Sequence, residues 1–436
     1  MTGLEGPEAA LALGTLWVVE TPERRAELAR LAARVADWDG VLVALERHGV
    51  LGLAARNLPP DALPGNVRER LAERARALEE DALRFRFTLE RFARALNARG
   101  VEPTLLKGAS LTLDAYPHAA LRGQGDLDLL VAPSEVEDAL RAGEEAGLLL
   151  APDSLPVWWY RHAHFHLKLA PGSALLREVE VHWALQHPSL LTTPGELARE
   201  PVDLAGARAF VLEPIDRLLH LVTHLVSHAR GAPGRPDSSA LSRVLAEGGH
   251  PLRLKWIADV RIELERLADT LDVARCAQRA RAWGAAGQLA WVVTWVRSAL
   301  ALTPAAESLA ERLVEALGAD ATCAAPAASR VREQRDRPLA ALDFREDALA
   351  LLPRWIWPPA EYLERRYGGA GLANRWRHAL LVLARVLIGT STLPVAFAQR
   401  ALAKERRRRA FRASAAPENV LELATEWRRL VKRSRG

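Results

Sequence analysis

Cysteine is nearly missing from this chain of 436 residues, which has only Cys276 and Cys323. They stand far apart and without metal-site spacing, so a disulfide framework is not expected and a reducing compartment fits best. A cytoplasmic location is the resulting expectation. Long apolar runs are also missing. The longest, Ala379 to Ala398, is broken by Arg385 and Pro394, which points to a buried helix and not to stable membrane insertion. The opening MTGLEGPEAA carries acid where a secretory leader carries base, so no signal peptide is expected. Neither sign of charge dominates: 59 basic residues face 54 acidic ones, for a net +5. That surplus is too small to favour a nucleic-acid partner, although Lys404–Arg412 (KERRRRAFR) gathers much of it. A Walker A sequence and a G-x-G-x-x-G fingerprint are both absent, which removes the main support for P-loop and Rossmann readings.

What remains is an ordinary globular composition, 49% hydrophobic and 26% charged, which excludes disorder of the whole chain. Its length suits two or three domains. From about Glu23 to Arg99 apolar residues recur at helical spacing, and Gly100 closes the last helix as a C′ glycine. The character then changes. Short apolar runs at Val101–Leu106, Asp126–Val131 and Leu148–Leu150 enclose a helix that Pro133 starts and Gly147 ends. HAHFHLKL (162–169) and EVEVHWAL (178–185) alternate at period two. Beyond Glu213-Pro214 helical periodicity returns over Leu218–Ala229, Leu252–Trp283, Gln288–Leu302 and Ala305–Leu317. Loops rich in Pro, Gly, Ser or Ala are expected at Gly231–Gly249 and Ala319–Pro338. The expected fold class is therefore α+β. A helical region (1–99) precedes a small mixed-sheet domain (100–212), a second helical region (213–400) follows, and a basic tail (401–436) closes the chain.

The chemistry concentrates in LLKGASLTLDAYPHAALRGQGDLDLLV (105–131). On a strand Asp126 and Asp128 share a face while Leu127, Leu129 and Val131 point to a core. Their Cα atoms stand about 6.7 Å apart at strand rise. Two like charges at that distance repel by about 2.5 kcal/mol at an effective dielectric of 20. A divalent cation removes that cost, and Mg²⁺ takes such carboxylate pairs together with substrate phosphates. Glu178, Glu180 and His182 share one face of the later strand, which makes a third carboxylate available. Gly108 and Ser110 open a helix after a strand, where backbone N–H groups approach phosphate. Lys107 and Arg122 add positive charge for a triphosphate. The alternatives are a plain turn and a solvated edge strand.

The histidines divide into two sets. His162, His164 and His166 alternate on one strand, and His220, His224 and His228 form a helical stripe. A zinc site on that stripe would lack the glutamate of HExxH, so packing or a place in the substrate cleft for His224 is favoured. Trp158-Trp159-Tyr160 can stack a base but suits a core equally, and Asp259 reads as a packing acid.

The order of LLKGASL (105–111), AYP (115–117), LRGQGDLDLLV (121–131) and VEVHW (179–183) resembles the uncharacterised bacterial nucleotidyltransferase family. That family belongs to the DNA polymerase beta-like superfamily. The resemblance extends to RLLHLVTHLVSH (217–228), LRLKWIADV (252–260) and RWIWPPAEYLERRYG (354–368). It implies a metal-dependent transfer of a nucleoside monophosphate from a nucleoside triphosphate, with release of pyrophosphate. Asp126, Asp128 and Glu180 match the metal carboxylates for Mg²⁺ or Mn²⁺, with Glu180 either holding the second ion or acting as base. Lys107, Gly108, Ser110, Arg122, His182 and His224 fall at nucleotide-binding positions. The turn reads Gly-Ala-Ser where the superfamily has Gly-Ser, and the third acid is Glu where Asp is frequent. The acceptor, whether a small molecule, a sugar or a protein, is not indicated. Three rivals stay open: a nucleotide-binding scaffold of the same fold, a nucleic-acid binder using the basic tail, and a His-based metallohydrolase that would hold zinc.

Overall fold

The computed structural model describes residues 6–150, 157, 165–185, 197–228, 252–318, 363, 369, 371–387, 426, 427, 429 and 430. The tail after residue 400 is described only at those last four positions. Outside the described residues lie the expected loops at 231–249 and 319–338, the aromatic trio 158–160, and His162 and His164.

Five helices come first: α1 (Gly6–Gly14), α2 (Pro22–Ala32), α3 (Trp38–Arg47), α4 (Leu51–Asn57) and the long α5 (Gly65–Ala98). Their starts follow local rules. Thr21 accepts the Arg24 N–H at 3.2 Å with Pro22 at the first helical position, and Asp37 accepts the Gly40 N–H at 2.9 Å. Gly100, at φ +75, ends the α5 segment in the left-handed conformation expected of it.

A single mixed sheet follows. Its strands are β1 (Thr104–Leu105), β2 (Leu127–Leu130), β3 (Leu148–Leu150), β4 (His166–Pro171), β5 (Val179–His182), β6 (Arg199–Leu204) and β7 (Ala207–Leu212). They lie in the order β3-β4-β5-β2-β1-β7-β6. Among the described residues, helices α6 (Lys107–Asp114) and α7 (Val136–Glu145) stand between β1 and β2 and between β2 and β3. The parallel pair β2–β5 sets Asp128 opposite Glu180 and Leu130 opposite His182. The antiparallel pair β4–β5 sets Lys168 opposite Glu180 and His166 opposite His182. The apolar face of these strands (Leu127, Leu129, Leu167, Leu169, Val179, Val181) packs on Phe85, Phe92 and Leu96 of α5 and on α7.

The β6–β7 hairpin was not among the expected strands. Its alternation is weakened by Pro201, which a sheet edge tolerates. Ala205 (φ +54) and Gly206 (φ +90) make its turn.

The second helical region contains α8 (Pro214–His228), α9 (Leu254–Arg266), α10 (Val273–Ala282), α11 (Ala286–Ala299), α12 (Pro304–Leu317) and α13 (Leu372–Leu387). The helical periodicity over 252–283 is divided between two helices, α9 and α10. Asp272 caps α10 by accepting the Arg275 N–H at 3.0 Å, which ends the continuity after Arg266. Leu42, Leu45 and Leu53 of the first helices join Leu218, Val222, Ile257 and Leu289 of the later ones in one buried cluster. The helices before and after the sheet thus share a core. No helix among the described residues is long and apolar enough to cross a membrane.

Candidate functional site

The polar face of β2, β4 and β5 is where the titratable residues collect. Period-two alternation puts Leu and Val on one side, so Asp126, Asp128, Glu180, His182, His166 and Lys168 fall on the other. Lys107 reaches the same place from the β1–α6 turn. Its φ of +46 is unusual for a residue with a side chain, and its ammonium donates to Asp128 Oδ1 at 2.7 Å. A strained backbone at a cluster of charges is a common mark of a working site.

Lys168 ties three carboxylates together. Its Nζ lies 2.9 Å from Asp126 Oδ2, 2.7 Å from Glu178 Oε1 and 2.9 Å from Glu180 Oε1. His182 Nε2 stands 3.0 Å from Asp128 Oδ1 and 3.4 Å from Glu180 Oε2, and His166 Nε2 is 3.7 Å from Glu180 Oε1. The start of β5 is anchored to α5, where Thr88 Oγ1 accepts the Arg177 N–H at 2.9 Å and Asp81 takes the Arg177 guanidinium at 2.7 Å.

These contacts set the protonation states. Burial and the neighbouring Glu180 charge push the Asp126 carboxyl up, with Lys168 opposing. Burial pushes Asp128 the same way, but Lys107 and His182 outweigh it and hold this acid below its ordinary value. Glu180 is driven well down despite burial, by His182, His166 and Lys107. The His182 imidazole resists its own burial and is raised by hydrogen bonds to Asp128 and Glu180. Like-charge repulsion from Glu180 at Asp126, and the cations needed to hold Asp128 and Glu180 ionised, describe a concentration of negative charge of the kind that a divalent ion can relieve.

Sequence-predicted residues divide by location. Asp126, Asp128, Glu180, His182 and Lys107 converge. Arg122 and Ser110 are engaged elsewhere. The Arg122 guanidinium is buried in a bidentate pair with Asp259, at 2.8 Å for both bonds, and Tyr116 donates its hydroxyl to the same carboxylate at 2.8 Å. A Cβ at Gly108 would collide with Arg122, so this glycine lets a guanidinium pass beneath the turn. Ser110 Oγ accepts from Arg217 at 3.3 Å, and Arg217 also binds Asp114 and Glu263 at 2.9 Å each.

α8 covers the polar face from the other side. Burial, then Lys107 and His182, push its His220 down to about 3. Burial and the Lys107 charge lower His224 as well. His224 meets Trp256 edge-on at 5.0 Å, and His228 lies 4.4 Å from the same ring.

Lys168 and Lys255 join the site without having been singled out in the sequence, and Glu178 gains a partner there. Lys168 sits on the same strand parity as His166, which was the available signal. Lys255 donates to Gly123 O at 3.2 Å; burial, then the Arg122 charge, pull it down to about 8. Glu178 had been placed on the right face but given no partner.

A mixed seven-stranded sheet flanked by helices is consistent with a nucleotidyltransferase domain. The family model described as an uncharacterised nucleotidyltransferase matches residues 34–300, more than half of the chain, and the chain belongs to that family. No curated protein and no solved structure matches it.

Proposed function

We propose that this protein transfers a nucleoside monophosphate from a nucleoside triphosphate to an acceptor, with Asp126, Asp128 and Glu180 holding Mg²⁺ or Mn²⁺. The observation that carries this reading is the β2–β5 register, which brings Asp128 beside Glu180 with Asp126 two residues along the same face. A divalent ion there supplies charge neutralisation for the triphosphate and the departing pyrophosphate. The chain's own residues do the rest. Lys107 and Lys168 keep the carboxylates ionised and in place, and His182 fixes Asp128 and Glu180 in relation to each other. Lys107, on its strained turn, is within reach of both the carboxylates and a phosphate above them. His224 and Trp256 wall the cleft on the helical side. The bond between the acceptor oxygen and the α-phosphorus forms as the bond to pyrophosphate breaks, and the acceptor proton leaves to a carboxylate of the cluster.

The test is pyrophosphate release from ATP, GTP, CTP and UTP with Mg²⁺ by the full chain. Asp126→Asn with Asp128→Asn is expected to lower the rate by about 100-fold or more, and an unchanged rate refutes the mechanism. Lys168, held within 2.9 Å of three acids, favours a second reading, in which the fold binds nucleotide without turnover. Saturable ATP binding by calorimetry with no pyrophosphate release selects that reading.

A further inference from the structure

Glu180 belongs to two sets of side chains at once. On one side it faces Asp128 and Asp126. On the other, one donor atom from each of His166, Glu180 and His182 lies within 4.8 Å of the other two. The His166 and His182 Nε2 atoms are 3.7 and 3.4 Å from the two Glu180 oxygens. Metal–ligand bonds of about 2.1 Å at tetrahedral or octahedral angles place donor atoms about 3.0–3.4 Å apart, so the Glu180 contacts stand within a few tenths of an ångström of a filled site. The backbone fixes this approach, because His166 and His182 are direct cross-strand partners, with ring centroids 4.8 Å apart.

Two further observations point to a ligand. The His182 ring is fully buried, and its contacts with Asp128 and Glu180 run through Nε2, on the side where the other donors converge. The cluster also carries a charge deficit. Among the described residues the lysines that pair directly with Asp126, Asp128, Glu178 and Glu180 are Lys107 and Lys168, so the acids of the cluster outnumber their paired lysines by two. A divalent ion supplies that charge. Two imidazoles and a carboxylate then decide its class, since Mg²⁺ prefers oxygen and water while imidazole suits borderline transition metals.

We propose that His166, Glu180 and His182 form a binding site for a divalent transition metal of the Mn²⁺, Co²⁺ or Zn²⁺ kind, beside the Asp126–Asp128 pair. Any part of this ion in catalysis rests on the transferase reading; the site itself does not. The experiment uses chelator-treated full-length protein without nucleotide, titrated with Co²⁺ and followed by its visible absorption. One equivalent is expected to bind with an imidazole-type spectrum, to persist in excess Mg²⁺ and to be displaced by Zn²⁺. His166→Gln is expected to weaken Co²⁺ binding by about 100-fold or more, beyond the 10–100-fold typical of losing a mere supporting contact. His228→Gln, outside the cluster, should leave it unchanged. Displacement by Mg²⁺, or loss of the spectrum in His228→Gln, overturns the proposal. Pulsed EPR of the Mn²⁺-loaded wild-type protein needs no variant: nitrogen coupling from imidazole is expected, and its absence is equally fatal. Because no nucleotide is present, failure here leaves the pyrophosphate-release result standing, and the converse also holds.

Discussion

Replacing Asp259 by Ala removes the carboxylate that pairs directly with a buried guanidinium. Arg122 and Asp259 are 4% and 1% exposed at their side chains and share two bonds of 2.8 Å. Taking away one partner of such a pair typically costs about 3–5 kcal/mol, because the other charge stays buried and uncompensated. The Tyr116 hydroxyl loses its acceptor too, adding about 1 kcal/mol. The sum, about 4–6 kcal/mol, is a large share of the stability of an ordinary protein. The double variant Arg122→Met/Asp259→Leu removes both charges and fills the space with apolar groups, and it should recover most of the loss. Equilibrium urea unfolding of the full chain, followed by tryptophan fluorescence, compares the two. The reasoning is refuted if Asp259→Ala lies within about 1 kcal/mol of wild type, or if the double variant is as unstable as the single one. Because Arg122 lies against Gly108, the single variant should also weaken ATP binding, measured by calorimetry at a temperature where it is folded.

Two other substitutions probe the surroundings of the site. Gly52→Ala would drive a methyl group into the Ala120 carbonyl and to 2.8 Å from Leu121 Cα; backbone has little room to yield, so a loss of about 3 kcal/mol is expected in thermal or urea unfolding. Lys255 has its pKa lowered to about 8 from 10.5, so the unfolded chain binds more protons between those values and wild-type stability rises with pH across that window. Below pH 8 the burial cost is present in full, about 3 kcal/mol, and Lys255→Met should stabilise there by about 2 kcal/mol after losing the Gly123 hydrogen bond. That advantage should shrink from pH 8 to 10.5; a constant or growing advantage contradicts the assignment.

Alternation made the site legible in outline. DLDLL and EVEVHW each announce which side chains share a face, since a period of two leaves no choice once one face is apolar. The pairing of those strands was not legible. Asp128 and Glu180 are 52 residues apart and parallel, and no turn between them fixes a register. Arg122 and Ser110 show a different limit. Each has the chemistry to meet phosphate, but each is taken by a buried acid or base 137 or 107 residues further along. Local sequence cannot report a competitor at that distance. The division of 252–283 into two helices was closer to hand, because Asp272 is a capping residue. It was obscured by apolar spacing that runs through it.

The core shared by the first and last helices has a consequence during synthesis. Leu42 is synthesised 180 residues before Val222, which lies in the same buried cluster. At about 5–20 residues per second, the apolar flank of α3 and α4 waits roughly 10–40 s for its cover. By the end of that interval the strands through Leu212, with α5 and α7, have all been made, 10 residues ahead of Val222. The opening helices then dock last, against the C-terminal helices that arrive behind the sheet. A nascent chain arrested near residue 212 should therefore carry a folded sheet and a sticky N-terminal flank, the state in which a chaperone would find it.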